Sequence, residues 1–354
     1  MHILLTGGGS GGHIFPNIAL LRKLKKDHQK IRLSYIGENH SMEKELISKE
    51  GVPFYAIQAG KLRRYFSLQN IADVFKVLFG IFQSIFLIIK LSPDVVFSKG
   101  GYVSLPVVIA AKILQKQVII HESDVYPGLT TRISSKFAST ICVSWKKTLS
   151  LFPGKNAVLT GIPVREELKD GSKENGYNFT GLEKNKLPVI LVVGGSLGAG
   201  SINDFIKKNA AEILSQYNIL HLVGKGKSFP VSLESEVEKR YVQIEFAGDE
   251  MKDIFALTNI VISRAGSTAL AEFIYLQKPV LMIPLTRAQS RGDQYDNAEE
   301  FMKMYPEMGR MVEEKDLEMK ALLKTLKELL SAKAPLNVSS SAVQDITNLL
   351  TTKV

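Results

Sequence analysis

The sequence predicts an α/β protein built from two Rossmann-like, doubly wound domains. Three observations predict this class. The chain has 354 residues, more than one hydrophobic core usually serves. Short apolar runs alternate with longer amphipathic stretches in both halves, and glycine-rich turns follow several of the apolar runs. Such alternation is typical of parallel sheets that helices cover on both faces.

The predicted strands form two groups of short, mostly apolar runs. Fully apolar runs such as 189–193 suit parallel strands that are buried on both faces. The polar segment 169–187 has no apolar period and predicts a long loop. We expect domains at 1–162 and 163–337, followed by a terminal helix in 338–354. The strand candidates are 2–5, 31–36, 54–57, 94–97, 117–120, 140–143, 188–193, 218–223, 241–246, 259–262 and 279–283.

Cysteine content and the N-terminus both indicate a cytoplasmic protein. The single cysteine, Cys142, lies in an apolar run, which excludes a disulfide framework and predicts a buried thiol in a reducing compartment. Met1 leads directly into a strand-like run without the features of a secretory leader. We therefore expect the protein to remain in the compartment where it is made.

The basic excess lies entirely in the first half. Residues 1–162 carry 21 Lys and Arg against 9 Asp and Glu, a net charge of +12, so the remainder carries −2 of the overall +10. This asymmetry predicts an anionic partner such as nucleic acid, an anionic membrane surface or a phosphorylated substrate, unless it is only a solvated surface. Nucleic acid is disfavoured, because basic and aromatic residues are not interleaved on an apparent reading surface.

The most apolar part of the chain is the predicted helix 68–91. Its uninterrupted apolar run is too short for a bilayer span of about 20 residues. A narrow polar stripe leaves an apolar face wider than one sheet contact requires. With Lys61, Arg63 and Arg64 just upstream, the helix can lie on an anionic membrane surface. The alternative is a helix buried between the sheet and the partner domain.

Two glycine-rich turns in the first half follow predicted strands. Segment 6–13 leads into a helical pattern and predicts a phosphate-binding loop, because free N–H groups and the helix dipole face an anion there. Its glycines also match the G-x-G-x-x-G of a dinucleotide-binding oxidoreductase, with Glu38 on the ribose. Segment 98–104 follows another strand. Since ligands bind beyond the carboxyl ends of parallel strands, both turns can hold one pyrophosphate.

Two more glycine-rich turns, 194–198 and 263–268, follow strands of the second half. Phosphate loops in both halves favour two phosphorylated substrates over a single dinucleotide, which weakens the oxidoreductase interpretation. Glu272 lies a turn into the following helix and can accept hydrogen bonds from ribose hydroxyls while the amides of 266–268 face a diphosphate. The alternative is a surface carboxylate favoured near a helix N-terminus.

The order of these motifs resembles that of the MurG family, glycosyltransferase family 28, over nearly the whole chain. The resemblance implies the GT-B fold, with two domains facing a central cleft and the C-terminal helix packed back on the N-terminal domain. It also implies a peripheral enzyme at the cytoplasmic face of the cell membrane, acting in peptidoglycan synthesis. The motifs are Gly8-Gly9-Ser10-Gly11-Gly12-His13, 100–104, His121-Glu122, 194–198 and 264–268.

The resemblance assigns a donor and an acceptor. The C-terminal domain of these enzymes binds UDP-N-acetylglucosamine, and the N-terminal domain binds undecaprenyl-pyrophosphoryl-muramyl-pentapeptide. Arg165 matches a donor-binding arginine, and Ser196 would meet the UDP phosphates. Ala247 would contact uracil through its backbone, Glu272 the ribose and Gln294 the sugar. The matched substrate-binding positions are Ser10, Gly11, Gly12, Asp124, Arg165, Ser196, Ala247, Gly266, Ser267, Thr268, Glu272 and Gln294, with Gly100, Gly101 and Tyr102 at the acceptor phosphate.

One departure from the family pattern affects the site. Many members have His-Glu-Gln-Asn where this chain has His121-Glu122-Ser123-Asp124. An ionised carboxylate accepts hydrogen bonds but cannot donate them. Asp124 is therefore not a like-for-like replacement for a sugar-binding asparagine.

The inverting transfer that the family implies needs a base for the acceptor hydroxyl and positive potential for the departing diphosphate. The Asp-x-Asp metal clamp of other glycosyltransferases is absent from the sequence, so helix N-termini and Arg165 would serve the diphosphate. We predict no metal site and no required cofactor. His13 is the first candidate base, because histidine titrates near neutrality; its alternative roles are helix-start hydrogen bonding or phosphate binding. Glu122 or His121 is the alternative base.

Overall fold

The computed structural model describes residues 1–39, 42–60, 68–195, 198–235, 237–287, 290–332 and 341–352, without the side chains of 68–72. The chain divides into two compact units. The first comprises Met1–Arg165 with Ser340–Val354, and the second comprises Glu166–Ser339. Arg165 therefore belongs to the first unit.

The first unit is built on a seven-stranded parallel sheet in the order β3-β2-β1-β4-β5-β6-β7. Its strands are β1 (His2–Thr6), β2 (Arg32–Glu38), β3 (Phe54–Ile57), β4 (Val95–Ser98), β5 (Gln117–Glu122), β6 (Thr140–Val143) and β7 (Ala157–Leu159). Its helices are α1 (Gly11–Asp27), α2 (Met42–Lys49), α3 (Leu68–Leu91), α4 (Ser104–Ile113), α5 (Leu129–Ser134), α6 (Lys146–Leu149) and α13 (Ala342–Thr351).

Helices cover both faces of this sheet because its central strands are apolar on both sides. Leu5 faces a core that includes Leu21 of α1. Leu4, the preceding residue of β1, faces the opposite core with Ile88 of α3 and Val107 of α4. The alternation of side chains along a strand therefore gives two cores, as the doubly wound prediction requires.

The C-terminal helix packs back on the first unit, as predicted. Val343, Ile346 and Leu350 of α13 are buried in the same core as Ile14 and Ile18 of α1. Their spacing of three and four residues places them on one helical face. The helix thus completes the sheet cover on the side of α1.

The second unit is built on a six-stranded parallel sheet in the order β10-β9-β8-β11-β12-β13. Its strands are β8 (Val189–Val193), β9 (Asn218–Leu222), β10 (Tyr241–Ile244), β11 (Ile260–Ser263), β12 (Val280–Met282) and β13 (Gly309–Met311). Its α-helices are α7 (Lys173–Thr180), α8 (Gly200–Leu214), α9 (Met251–Leu257), α10 (Ser267–Tyr275), α11 (Asp293–Met304) and α12 (Met319–Ser331). Together the two sheets confirm the prediction of two Rossmann-like domains.

The loop predicted at 169–187 is wrong for its central part, which forms α7. Capping rather than apolar periodicity defines this helix. The Ser172 hydroxyl accepts from the N–H of Asn175, and Gly181 ends the helix in the left-handed conformation. Gly176 packs so closely on α9 that a Cβ would lie 2.6 Å from the carbonyl oxygen of Asp253. This contact explains why a polar stretch is ordered.

Two edge strands, β7 and β13, were not predicted from the sequence. Each has three residues and is only partly buried. A run this short carries too little alternation to distinguish a strand from a loop. Both strands form because an existing sheet edge offers them hydrogen-bonding partners.

Candidate active site

The loops of the first unit meet where the strand order reverses. β1 lies between β2 and β4, so the chain proceeds to one side of β1 before it crosses to the other. The loops after β1 and β4 therefore flank the crevice in which open α/β sheets bind ligands. These loops carry the two glycine-rich motifs of the first half.

The two loops contact each other directly. The N–H of Gly8 donates to the carbonyl of Gly100 at 3.3 Å, and the N–H of Lys99 donates to the carbonyl of Thr6 at 2.9 Å. Gly101 has a φ of 82°, and a Cβ there would lie 2.1 Å from the carbonyl oxygen of Gly8. Only glycine permits this approach.

Tyr102 ties the second loop to β2. Its hydroxyl donates a hydrogen bond to the carboxylate of Glu38. Burial, followed by this hydrogen bond, raises the pKa of Tyr102, so the phenol remains a donor at neutral pH. Because the Glu38 carboxylate accepts from Tyr102, the contact disfavours the ribose-binding role that an oxidoreductase would require of Glu38.

Polar side chains support the first loop from inside the unit. The Tyr35 hydroxyl donates to the carbonyl of Gly7, and Nδ2 of Asn17 donates to the Tyr35 oxygen at 2.9 Å. Glu43 is 1% exposed, and a Cβ on Gly8 would lie 2.0 Å from its Oε2. Burial raises the pKa of Glu43 to about 8. The loop thus rests on a protonated carboxyl group at neutral pH.

These supporting residues were not predicted from the sequence. Asn17, Tyr35 and Glu43 come from α1, β2 and α2, and no motif joins them. The available signal is a polar residue at a position where the periodicity predicts a buried one. Glu43 shares a helical face with the buried Ile47, four residues later.

His13 is oriented by its neighbour at the start of α1. Its Nδ1 lies 3.0 Å from Oγ of Ser10. A Cβ on Gly100 would lie 3.6 Å from Cδ2 of His13, so the imidazole lies beside the second loop. The structure therefore brings the candidate base to the predicted acceptor-phosphate loop.

The side chain of Glu122 makes hydrogen bonds within the protein. Its carboxylate accepts from the N–H of Asp124 at 2.9 Å and from that of Gly128 at 3.2 Å. Burial raises its pKa, and the adjacent Asp124 raises it further. These contacts shape the turn after β5, which favours His13 over Glu122 as the base.

Arg165 packs on the aromatic ring of Phe15. The guanidinium carbon lies 4.5 Å from the ring centroid, a cation–π distance, and the residue is buried. Phe15 belongs to α1, two residues after His13. Arg165 is therefore anchored beside the helix that carries the first loop.

The second unit repeats the arrangement of loops. β8 lies between β9 and β11, and glycine-rich segments follow β8 and β11. The Ser263 hydroxyl donates to the carbonyl of Val193 at 2.9 Å and joins the carboxyl ends of these strands. α10 begins at Ser267 with Gly266 as its N-cap. Ser196, predicted to meet the UDP phosphates, lies outside the described residues.

Arg264 holds the second pair of loops together. Its guanidinium donates to the carbonyl of Ile283 at 2.8 Å, to the Ser201 hydroxyl at 2.9 Å and to the Glu314 carboxylate. The residue is buried. Removal of one partner of such a pair leaves an uncompensated buried charge. Arg264 therefore stabilises the loops that are predicted to bind the donor.

The remaining predicted donor residues follow the carboxyl ends of three strands of the same parallel sheet. Ala247 is buried just after β10, Glu272 lies within α10 after β11, and Gln294 lies at the start of α11 after β12. Oε1 of Gln294 accepts from the N–H of Leu285 at 3.0 Å. The sheet order thus gathers these positions at one edge, although their contacts with a substrate stay predictions.

The loops of both units lie within two matched family domains. The glycosyltransferase family 28 N-terminal domain matches residues 3–143, and the family 28 C-terminal domain matches residues 189–350. The chain belongs to glycosyltransferase family 28. Arg165 lies between the two matched regions.

Family 28 relatives match almost the whole chain. The UDP-N-acetylglucosamine--N-acetylmuramyl-(pentapeptide) pyrophosphoryl-undecaprenol N-acetylglucosamine transferase of Clostridium kluyveri is 47% identical, over 98% of this chain and 96% of its own. An enzyme of the same name, numbered 2, from Bacillus cereus is 46% identical, over 92% of this chain and 91% of its own. The crystal structure of Acinetobacter baumannii MurG is 23% identical over 99% of both chains, with a TM-score of 0.69. That likeness confirms the GT-B fold class.

Proposed function

We propose that this chain transfers N-acetylglucosamine from UDP-N-acetylglucosamine, with inversion, to the C4 hydroxyl of the muramyl sugar in undecaprenyl-pyrophosphoryl-muramyl-pentapeptide. The observation that carries this proposal is the 47% identity over 98% of the chain to an enzyme whose name states that donor sugar and that acceptor. The chain is a hexosyltransferase of peptidoglycan synthesis, converting lipid I to lipid II. It thereby serves cell shape and division.

The first unit takes the lipid-linked acceptor and the second takes the nucleotide sugar. Residues 1–162 carry a net charge of +12, which attracts a pyrophosphate and an anionic membrane. The direct contact between the loops after β1 and β4 supports a single anion site for the backbone N–H groups of both loops. The N-terminus of α10 offers a comparable diphosphate site in the second unit.

His13 removes the proton from the acceptor hydroxyl as its oxygen attacks the anomeric carbon and UDP leaves. Its bond to Ser10 fixes the imidazole plane, and a general base needs such positioning more than any other property. The backbone amides of 266–268 stabilise the charge on the leaving diphosphate. Among the described residues, no cluster of three or more His, Cys, Asp or Glu is suited to hold a metal ion.

α3 attaches the protein to the anionic cytoplasmic surface of the membrane. Its apolar face lies outside, with Phe82 at 70% exposure and Phe75 at 67%. Two polar residues of α3 face inward: Asp73 is buried, and Oε1 of Gln83 accepts from the N–H of Gln58 at 2.7 Å. The helix that packs along it, α4, ends in exposed Lys112 and Ile113. Aromatic side chains beside cations are typical of an interfacial helix.

The expectation that the apolar run of α3 is too short to span a bilayer is wrong by length and composition. Within the described ranges, its segment Asp73–Leu91 is long and apolar enough to cross one. Its inner side packs on α4 and β3, and Asp73, Ser84 and Ile88 are buried against the unit. A spanning helix would have to leave these contacts. The basic residues predicted to reinforce the attachment, Lys61, Arg63 and Arg64, lie outside the described residues.

Ligand-dependent thermal stability tests the nucleotide specificity. A ligand that binds only the folded state raises the melting temperature. UDP and UDP-N-acetylglucosamine should raise it, whereas NAD and duplex DNA should not. Stabilisation by NAD without stabilisation by UDP would overturn the transferase proposal in favour of an oxidoreductase. Stabilisation by UDP with transfer to a different lipid acceptor would keep the GT-B transferase class and overturn only the acceptor.

A further inference from the structure

Lys99 is a fully buried lysine inside the predicted acceptor-phosphate loop. It is 1% exposed, and burial lowers its pKa to about 8 against the opposing effect of the Glu122 and Asp124 carboxylates. A buried ammonium destabilises the fold unless charged or polar groups compensate it. The position of this side chain therefore requires a reason beyond packing.

The side chain of Lys99 connects three loops. Its Cβ lies 3.0 Å from where a Cβ on Gly7 would be, in the loop after β1. Its Nζ donates to the hydroxyl of Ser123, in the loop after β5. Lys99 follows β4, and Ser123 follows β5. These two strands are neighbours in the sheet, with Ser98 paired to Ile120. Lys99 thus reaches from the first glycine-rich loop to the turn that carries Asp124.

The backbone of that turn is fixed by other bonds. Nε1 of Trp145 donates to the carbonyl of Ser123 at 2.8 Å, and the Ser144 hydroxyl donates to the carbonyl of Glu122 at 2.8 Å. The Thr148 hydroxyl donates to the carbonyl of Val125 at 2.8 Å. Since these contacts set the path of the chain, Lys99 is not needed for that purpose. Its specific contribution is charge and the orientation of the Ser123 side chain.

Charge balance gives the reason for Lys99. The turn carries two acidic residues, Glu122 and Asp124, within three positions, and the carboxylate of Glu122 is buried. Like charges so close repel strongly away from water. The ammonium of Lys99 interacts favourably with both of these carboxyl groups. A cation is needed here because two acidic side chains lie within three positions of one turn.

We propose that Lys99 is a positioning residue of the transfer site, whose buried ammonium holds Ser123 and compensates Asp124 so that this carboxylate can accept hydrogen bonds from hydroxyl or amide N–H groups of a substrate sugar. The inference rests on the proposed function, because it takes Asp124 to meet a sugar. It predicts that positions 99 and 124 are coupled: loss of either charge alone harms the site, and loss of both harms it less than independent effects would.

The test is a double-mutant cycle with Lys99→Met, Asp124→Asn and the two combined. The control is Lys278→Met in the second unit, because burial also lowers the pKa of Lys278 and its Nζ donates to a carbonyl, that of Thr258, at 2.7 Å. We expect Lys99→Met to lower kcat/KM at least tenfold at a temperature where it is folded. We expect the double variant to keep kcat/KM within about threefold of that of Asp124→Asn, because loss of Lys99 costs little once position 124 is neutral. We expect Lys278→Met to leave kcat/KM unchanged.

Two results would overturn the inference. One is a double variant whose loss of kcat/KM equals the product of the losses in the two single variants. That result would show that Lys99 does not act through Asp124. The other is lowered stability of Lys99→Met with an unchanged kcat/KM, as for the control. If Lys99→Met does not fold, the double variant is compared with Asp124→Asn alone: a kcat/KM within about threefold of that of Asp124→Asn supports the coupling, and a larger loss rejects it.

A binding measurement separates this inference from the proposed acceptor. The gain in affinity of UDP-N-acetylglucosamine over UDP reports the sugar contact without turnover. If the wild type binds both ligands but transfers nothing to the lipid-linked acceptor, the proposed acceptor fails. The gain in affinity of UDP-N-acetylglucosamine over UDP then tests the coupling of positions 99 and 124. Non-additive losses of that gain in the variants support the coupling, and additive losses reject it.

Discussion

Nε2 of His121 lies 2.8 Å from the carbonyl oxygen of Gly161, which is 40 residues further along the chain. The geometry places the proton on Nε2, because a carbonyl can only accept. Burial lowers the pKa of His121 well below its usual value, and the nearby Lys99 lowers it further. His121 is therefore a neutral hydrogen-bond donor that ties β5 to the segment after β7.

Substitution of His121 should cost stability rather than chemistry. His121→Ala should lower the free energy of unfolding by roughly 2–4 kcal/mol, from the cavity and the lost hydrogen bond. His121→Gln, whose amide nitrogen can take the position of Nε2, should recover part of that loss. Both folded proteins should keep kcat within about a factor of three. A folded His121→Gln variant whose kcat falls by about 100-fold or more, the scale of a lost general base, would restore His121 as a candidate base.

His13 should behave in the opposite way. His13→Ala should lower kcat by about 10²–10⁴-fold, the usual contribution of a general base, with little change in the KM for UDP-N-acetylglucosamine or in melting temperature. Ser10→Ala, which removes the bond to Nδ1, should give a smaller loss of kcat. If His13→Ala raises the KM for the acceptor and leaves kcat intact, then His13 binds phosphate and the base is elsewhere.

The carboxyl group of Glu43 should make stability depend on pH. Its pKa is about 8 in the folded protein, against the ordinary 4.5. Between these values the folded state keeps a proton that the unfolded state has lost, so stability falls as the pH rises through that window. From about pH 6 to about pH 7.5 the loss is roughly 1 kcal/mol per pH unit.

Glu43→Gln should remove this part of the pH dependence, because an amide does not titrate. Urea unfolding at both pH values, followed in the wild type and the variant, measures the difference directly. The wild type should lose more stability than the variant on going to the higher pH. Equal losses in the two proteins would mean that Glu43 is ionised in the folded state.

The exposed face of α3 should determine membrane binding. Exchange of Phe75, Phe82 and Arg64 for polar uncharged residues should weaken binding to vesicles that contain anionic lipid, because it removes apolar area and a cation. Phe179→Ser is a suitable control, since Phe179 is an exposed phenylalanine of the second unit, at 45% exposure. Unchanged vesicle binding in the α3 variant would mean that this face has a protein partner instead.

Sequence periodicity predicted the strands that are buried on both faces, because such strands must be apolar throughout. It also placed the glycine-rich turns after strands. It could not give the strand order, on which the contacts of the site depend. Lys99 and Ser123 are 24 residues apart, and they meet because β4 and β5 are neighbours. Glu43 could not be predicted either, because its contact with Gly8 depends on how α2 packs, which the sequence does not state.

The proposed activity is tested by measuring the transfer of labelled N-acetylglucosamine from UDP-N-acetylglucosamine to undecaprenyl-pyrophosphoryl-muramyl-pentapeptide. UDP-glucose as the labelled donor is the control. We expect a labelled disaccharide-linked lipid with UDP-N-acetylglucosamine, little or none with UDP-glucose, and loss of the product in His13→Ala. A folded protein that binds UDP but forms no labelled lipid product would contradict it.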